Sequence, residues 1–236
     1  MASDFVINDT ITSSRFQDGK MPTANIRDYY LTTQTKSDEN GTIYVEVDRN
    51  ARLLTKDVVL GNGILHIVDA VLEKPELTLR EQVAALPMER YSLFIDLFAE
   101  YENYLNSVMT TDTCYTVYVQ SNETFNNEGI HNKNELITRL KQNTPGINDS
   151  EALIQNFLAY HIGTGRQYIV DLMSSSAVMT KVENQVIACI MDGQKIVLNR
   201  FNSIAGYEPG IELIRDGEYA DRTCADGVLQ SRRPSG

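Results

Sequence analysis

The hydrophobic pattern of this chain changes period between residues 73 and 78, and that change restricts the architectures open to it. Upstream, Thr42-Ile-Tyr-Val-Glu-Val-Asp48 alternates apolar and polar side chains, as a half-buried strand does, and Asn40-Gly41 supplies the turn before it. Ile64-Leu-His-Ile-Val-Asp-Ala-Val-Leu72 is a β-branched run of strand length after a loop that ends in Gly61-Asn-Gly63. Glu73-Lys-Pro75 closes this block, because proline has no amide to continue a ladder. Downstream, Thr78-Leu-Arg-Glu81 fits a capping box, in which threonine and glutamate side chains each satisfy a free amide at the start of a helix.

Helical spacing then continues through Leu79, Val83 and Leu86, is interrupted at Pro87, and resumes as a stripe of Leu93, Phe94, Leu97, Phe98, Tyr101 and Leu105. Cys114-Tyr-Thr-Val-Tyr-Val-Gln120 returns to period two, predicting a strand with one face on a core. Residues 134–141 read as a short helix. Asn148-Asp-Ser-Glu151 caps another, with Leu153, Phe157 and Tyr160 as its buried stripe and His161 at its end. Residues 185–191 and 195–201 are strands joined by the hairpin signal Asp192-Gly193, followed by Pro209-Gly210 and a loop-rich tail. The order strands, helices, strands predicts an α+β chain of two units, 1–75 and 76–236. A short echo supports the division: Asn62-Gly-Ile-Leu-His66 late in the first unit, Ala225-Asp-Gly-Val-Leu-Gln230 late in the second.

Composition removes several functions. With 21 Lys and Arg against 32 Asp and Glu, the net charge is −11, so nucleic acid is not an expected partner. No apolar run approaches the roughly 20 residues of a membrane-spanning helix. Cys114, Cys189 and Cys224 are too few and too far apart for a disulfide framework or a CxxC metal clamp, although a single Cys189 to Cys224 bridge stays open. His66, His131 and His161 are scattered and no HExxH motif is present, so no metal site and no cofactor is expected. No GxSxG elbow surrounds a serine, and Gly163-Thr-Gly-Arg166 lacks the Gly-Lys-Ser/Thr ending of a phosphate loop, so a turn is expected there. His66 and Asp69 would point to opposite faces of one strand. They read as structural groups, either His66 donating to a loop carbonyl or Asp69 capping amides where the chain turns. Four sequons, at Asn8, Asn40, Asn122 and Asn148, do not settle secretion, and the amino terminus lacks the pattern of a signal peptide.

Taken in order, these segments resemble the fasciclin-like domain family, extracellular adhesion modules built as a β-sandwich wedged against short helices. Tyr91-Ser-Leu-Phe-Ile-Asp-Leu-Phe98 resembles its opening helix, Tyr115-Thr-Val-Tyr-Val-Gln-Ser-Asn-Glu-Thr-Phe125 its first strand and following helix, and Phe157-Leu-Ala-Tyr-His161 its Tyr-His region. Thr180 and the strands through Ile196-Val-Leu-Asn199 fit its middle, and residues 62–72 resemble its closing strand motif. By this resemblance residues 1–75 are the latter half of one domain. Residues 76–236 are most of another, lacking its last strand and carrying Gln230 where the family has histidine.

The resemblance implies a non-enzymatic adhesion or binding module at the cell surface or in the extracellular space, lipid-anchored or secreted in its full-length form, with a protein or glycan ligand. It places the partner-binding residues at Tyr160 and His161, with Gly163, Gly165 and Tyr168 of the following turn as neighbouring surface. An alternative is a glycan-binding or glycan-uptake accessory lipoprotein of a bacterium, since the 12 tyrosines offer rings for stacking on sugars. Two further expectations concern the first unit: that the chain is cut from a longer protein, and that an exposed strand edge accepts a strand from another chain, allowing homo-association.

Overall fold

Turn residues set the register of the first 75 residues. In the computed structural model five strands, β1 (Gly19–Lys20), β2 (Thr32–Ser37), β3 (Ile43–Val47), β4 (Ala51–Leu60) and β5 (Gly63–Val68), pair as an antiparallel sheet in chain order. A 3-10 turn, Ser13–Arg15, precedes them. The structure describes residues 5–72, 74–110, 113–144, 146–193, 195–199, 202–203, 206–207, 211–213, 221–225 and 227–234. Before β3 the chain turns at Gly41, whose φ of +76° lies in the left-handed region, while the Asp38 carboxylate accepts the Asn40 and Thr42 amides at 3.0 and 2.9 Å. Gly61 and Asn62 form a two-residue turn between β4 and β5, with Leu60 opposite Gly63, where the sequence suggested the end of a longer loop.

The strand β4 has no clean sequence signal, because its ladder is broken by register shifts between Leu53 and Thr55 and between Thr55 and Val58. β5 stops at Val68, short of the expected Leu72. Asp69 leaves the ladder there and its Oδ1 accepts the Arg52 amide at 2.6 Å, the capping role read from the sequence. The buried apolar side chains of this unit are Ile11, Met21, Leu31, Val47 and Ala51, a small core for its length.

The chain divides into Met1–Pro75 and Glu76–Gly236, and the α-helices among the described residues lie in the second unit. Thr78 and Glu81 form the expected capping box at the start of α1 (Leu79–Ala84). Pro87 then caps α2 (Met88–Glu100), and a break at Tyr101 separates α3 (Glu102–Val108). After β6 (Tyr115–Gln120) come α4 (Asn122–Asn127), α5 (Lys133–Asn143) and α6 (Ser150–Tyr160), each N-capped by a side chain, Ser121, Asn132 and Asp149. The Asn122 amide group donates to Glu89 O and Ser92 Oγ, tying α4 to α2.

The remaining elements are β7 (Ile162–Thr164), α7 (Ile169–Ser174), β8 (Ala177–Met179), β9 (Val186–Asp192), β10 (Lys195–Leu198), the ribbon β11 (Asn202–Ser203) and β12 (Gly206–Tyr207), β13 (Ile211–Leu213), β14 (Arg222–Cys224) and β15 (Gly227–Pro234). The main sheet runs β7-β6-β15-β13-β10-β9-β8, with β14 paired to β15 and β11 and β12 forming a separate ribbon. Its ends meet, because Gly163 on β7 bridges Thr180 just beyond β8 and the Lys181 amide donates to Ile162 O at 3.0 Å. The sheet therefore encloses a core of its own, to which α7 contributes Ile169 and Leu172, while α1–α6 pack against its outer face. The fold is α+β.

Several expectations change here. All of Tyr115 to Gln120 is buried, where one core face was expected. Tyr115, Val117 and Val119 pack with Phe94, Leu97, Leu158 and other helix residues, while Tyr118 points inward against Ile169, Val178, Ile187 and Ile196. In α6 the buried residues are Leu153, Ile154, Leu158 and Ala159, with Phe157 and Tyr160 half-buried, because Ile154 and Leu158, four apart, are the pair that faces the helix core. Among the described residues of the tail, β15 lies centrally, parallel to β6 (Gly227 opposite Tyr115, Arg232 opposite Gln120) and antiparallel to β13, where loop was expected. A hairpin forms at Asp192-Gly193, but Asp192 belongs to β9 and pairs with Lys195, so the turn begins at Gly193 (φ +59°), one residue later than read. Its second strand ends at Leu198, and Arg200, Phe201, Pro209 and Gly210 lie outside the described residues.

Candidate functional site

The helix α6 delivers Tyr160 and His161 to the point where β7 begins, and the two residues have different fates. His161 is buried at the helix end, where its Nδ1–H donates to Phe157 O at 2.8 Å and its Nε2 stands 3.2 Å from Gln120 Oε1. Its ring packs on Phe157 and Phe94, with centroids 4.3 and 5.6 Å away. An imidazole engaged at both nitrogens and on both sides is a cross-link between α6 and β6. Tyr160 is half-buried, rests on the core inside the sheet, and donates its hydroxyl to Val186 O at 3.0 Å.

The turn that follows is laced to β6. Gly163 pairs with Thr116, and a Cβ at Gly163 would come within 2.9 Å of Val178 Cγ1 and 3.1 Å of Tyr118 Cε2, so only glycine lets these surfaces close. Gly165 turns the chain at φ +79°, donating its amide to Cys114 O at 2.9 Å and accepting from Thr116 Oγ1 at 2.8 Å. Tyr168 is wholly buried at the start of α7, its hydroxyl 3.2 Å from Thr223 Oγ1. Of the five residues singled out by resemblance, Tyr160 and Gly165 thus reach the surface, while His161, Gly163 and Tyr168 lie beneath it. The exposed apolar neighbours are Met179 and Val186, opposite each other on β8 and β9. Sequence reasoning missed both; the only hint was the apolar residue at alternate positions of each short strand.

A second arrangement was also missed, and it occurs once in each unit. In the second, Asp221 sits at φ +51° before β14. Its amide donates to Gln230 Oε1 at 3.0 Å, its carboxylate accepts the Ile169 amide at 2.7 Å and Gln230 Nε2 at 2.6 Å, and Gln230 Nε2 also donates to Gln167 O at 3.0 Å. In the first, Asp57 sits at φ +60°, its amide 3.4 Å from His66 Nδ1, its carboxylate accepts the Ser13 amide at 2.7 Å and the Ser13 hydroxyl, and His66 Nε2 lies 2.8 Å from Ile11 O. The Asp to His or Gln spacing is the same, and each clamp holds an amide and a carbonyl two residues apart at the entrance to a helical turn. His66 thus donates to a loop carbonyl, as its sequence context suggested. The two Ser13 hydrogen bonds hold the Asp57 carboxyl below its ordinary range.

His66 and His161 are therefore structural groups. Among the described residues no group of three or more His, Cys, Asp or Glu is placed to hold a metal ion, and no helix is long and apolar enough to cross a membrane. The cysteines are free, with Cys189 inside the sheet and Cys224 on its helix side, so these two do not form the bridge left open by the sequence.

Residues 2–74 match the family model for the Fasciclin domain. The first unit is fasciclin-like. The match falls on the unit read as the latter half of such a domain, and it includes Asn62 to Leu72, the segment with the most specific resemblance. Among solved structures, the chain is similar to a FAS1 domain pair from the insect cell adhesion molecule fasciclin I, at 17% identity and a TM-score of 0.43, over 96% of this chain and 75% of that one. No curated protein matches. The echo between Gly63-Ile-Leu-His66 of the fasciclin-like unit and Gly227-Val-Leu-Gln230 of the second coincides with the two clamps.

Proposed function

We propose that this chain is a non-enzymatic adhesion module that works at the cell surface or in the extracellular space by contacting a protein partner. The observation that carries the reading is the match of residues 2–74 to the Fasciclin domain, whose members are generally extracellular adhesion modules. The use of His66, Asp57 and His161 as structural cross-links agrees with it, since each has its hydrogen bonds spent within the fold. The contact surface in this reading is the exposed edge of Tyr160 with the Gly165 turn, Met179 and Val186. His161, Gly163 and Tyr168 support it from below. An apolar patch beside a half-buried tyrosine suits a protein partner.

The test is attachment of cells to surfaces coated with the parent chain or with a Met179→Lys, Val186→Lys double variant, both checked for folding by circular dichroism. Attachment to the parent, reduced about tenfold in the variant, supports the module and the surface. Attachment to both moves the surface elsewhere, and attachment to neither removes the adhesion reading.

A further inference from the structure

The two units carry the same hairpin in different surroundings. Leu60 opposite Gly63, Val59 opposite Ile64 and Val58 opposite Leu65 repeat Cys224 opposite Gly227, Thr223 opposite Val228 and Arg222 opposite Leu229. In each, the aspartate before the first strand and the His66 or Gln230 in the second form the clamp described above. What differs is what lies on the second strand. β15 has β6 running parallel along its free edge and α1 and α4 on its face, and Leu229 and Cys224 are 0% and 1% exposed. Among the described residues β5 pairs only with β4, and at the matching positions Leu65 and Leu60 are 45% and 49% exposed, with Ile67 beside them at 44%.

The glycines sharpen the comparison. A Cβ at Gly227 would stand 2.0 Å from Tyr115 O and 2.6 Å from Leu79 Cδ1, so glycine is required there by the strand and helix packed over it. Gly63 occupies the same place in its hairpin, yet a Cβ there meets nothing within 4 Å, and its φ lies outside the left-handed region. Neither a close approach nor the backbone conformation of the unit as it stands calls for glycine at this position. A strand crossing as β6 crosses β15 would.

We propose that β5 is a seat for a β-strand of fasciclin type supplied from outside residues 1–236. The strand runs parallel to β5 with a backbone carbonyl over Gly63, and a helix following it covers Leu60, Leu65 and Ile67. β6 and α4 are the template for this occupant: alternate apolar side chains toward the helix side, then a short helix turning back over the sheet. The ladder bonds along the free edge supply affinity, and the apolar strip fixes which side of the donated strand faces inward. Parallel addition at this edge distinguishes the seat from antiparallel self-pairing of two β5 edges about a two-fold axis.

The experiment uses the full chain and a synthetic peptide with the sequence of residues 113–127, carrying Cys114→Ser, with amide exchange followed by mass spectrometry. The expected result is added protection at Gly63–Val68, absent with a scrambled peptide. Gly63→Val, which the open space tolerates, is expected to keep the parent's circular dichroism and melting while weakening the peptide by about tenfold or more. Leu65→Glu, on the exposed strip, is the second variant and is expected to act in the same direction. The proposal is overturned by no protection at Gly63–Val68, by equal protection in both variants, or by protection with the scrambled peptide. It is equally overturned by protection confined to residues 227–234, which is strand exchange within the second unit, or by β5 protection that rises with protein concentration without peptide, which makes a second copy the occupant.

Discussion

Gln230 and Asp221 exchange two hydrogen bonds, amide to Oε1 at 3.0 Å and Nε2 to Oδ1 at 2.6 Å, although neither residue belongs to the apolar core. Gln230 is fully buried, and its Nε2 also holds Gln167 O. Gln230→Ala strands the Asp221 amide and the Gln167 carbonyl in a dry site, with an expected loss of about 2–3 kcal/mol in urea denaturation. Gln230→His is expected to lose less, because His66 reaches the corresponding amide and carbonyl in the first unit.

Two glycines in one turn separate space from backbone strain. Gly163→Ala drives a methyl into Val178 and Tyr118 and is expected to cost about 1–3 kcal/mol. Gly165→Ala meets only Gln167 Nε2, at an ordinary 3.4 Å, but holds φ at +79°, and is expected to cost about 1 kcal/mol. Denaturant midpoints of the two variants give the comparison.

Asp48, between β3 and β4, has its carboxyl pushed up to about 6, because burial outweighs the hydrogen bonds donated by the Thr32 amide and hydroxyl. A folded-state value above the unfolded one, about 3.9, means that its stabilising contribution is complete below pH about 4 and lost as pH rises through about 6. Asp48→Asn keeps the acceptor without the charge. Relative to the parent it is expected to gain on the order of 1–2 kcal/mol between pH 4 and pH 7, read from amide exchange in β2 and β3.

The three thiols differ in reach. Burial pushes the Cys189 thiol up to about 11, and Cys224 is also buried, whereas Cys114 is partly exposed. A disulfide reagent at pH 8 is expected to modify Cys114 in the native protein, with Cys189 and Cys224 reacting only in denaturant. Rapid native reaction of all three would contradict the packing described.

Local chemistry was legible in the sequence and long-range pairing was not. The Thr78 box and the Asn40-Gly41 turn depend on residues a few positions apart, and each formed. The burial of both faces of β6 depends on the sheet closing between Gly163 and Thr180, which no local pattern encodes. β15 was read as loop because Gln230, Ser231, Arg232 and Arg233 lack strand character; its place is set by β6 and by the Asp221 clamp. At the candidate site the sequence located the turn but not its depth. His161 and Tyr168 look like contact residues until their neighbours are known.

The parallel pairing of β6 with β15 also sets an order of events during synthesis. β6 emerges early, but the strand that occupies its inner edge is made only after the helices, the hairpin and β13. Loop closure over so long a separation makes this a late, slow step. Until then Tyr115 to Gln120 presents an unpaired apolar edge, so the nascent second unit depends on its helix layer, or on a chaperone, to keep that edge from other chains.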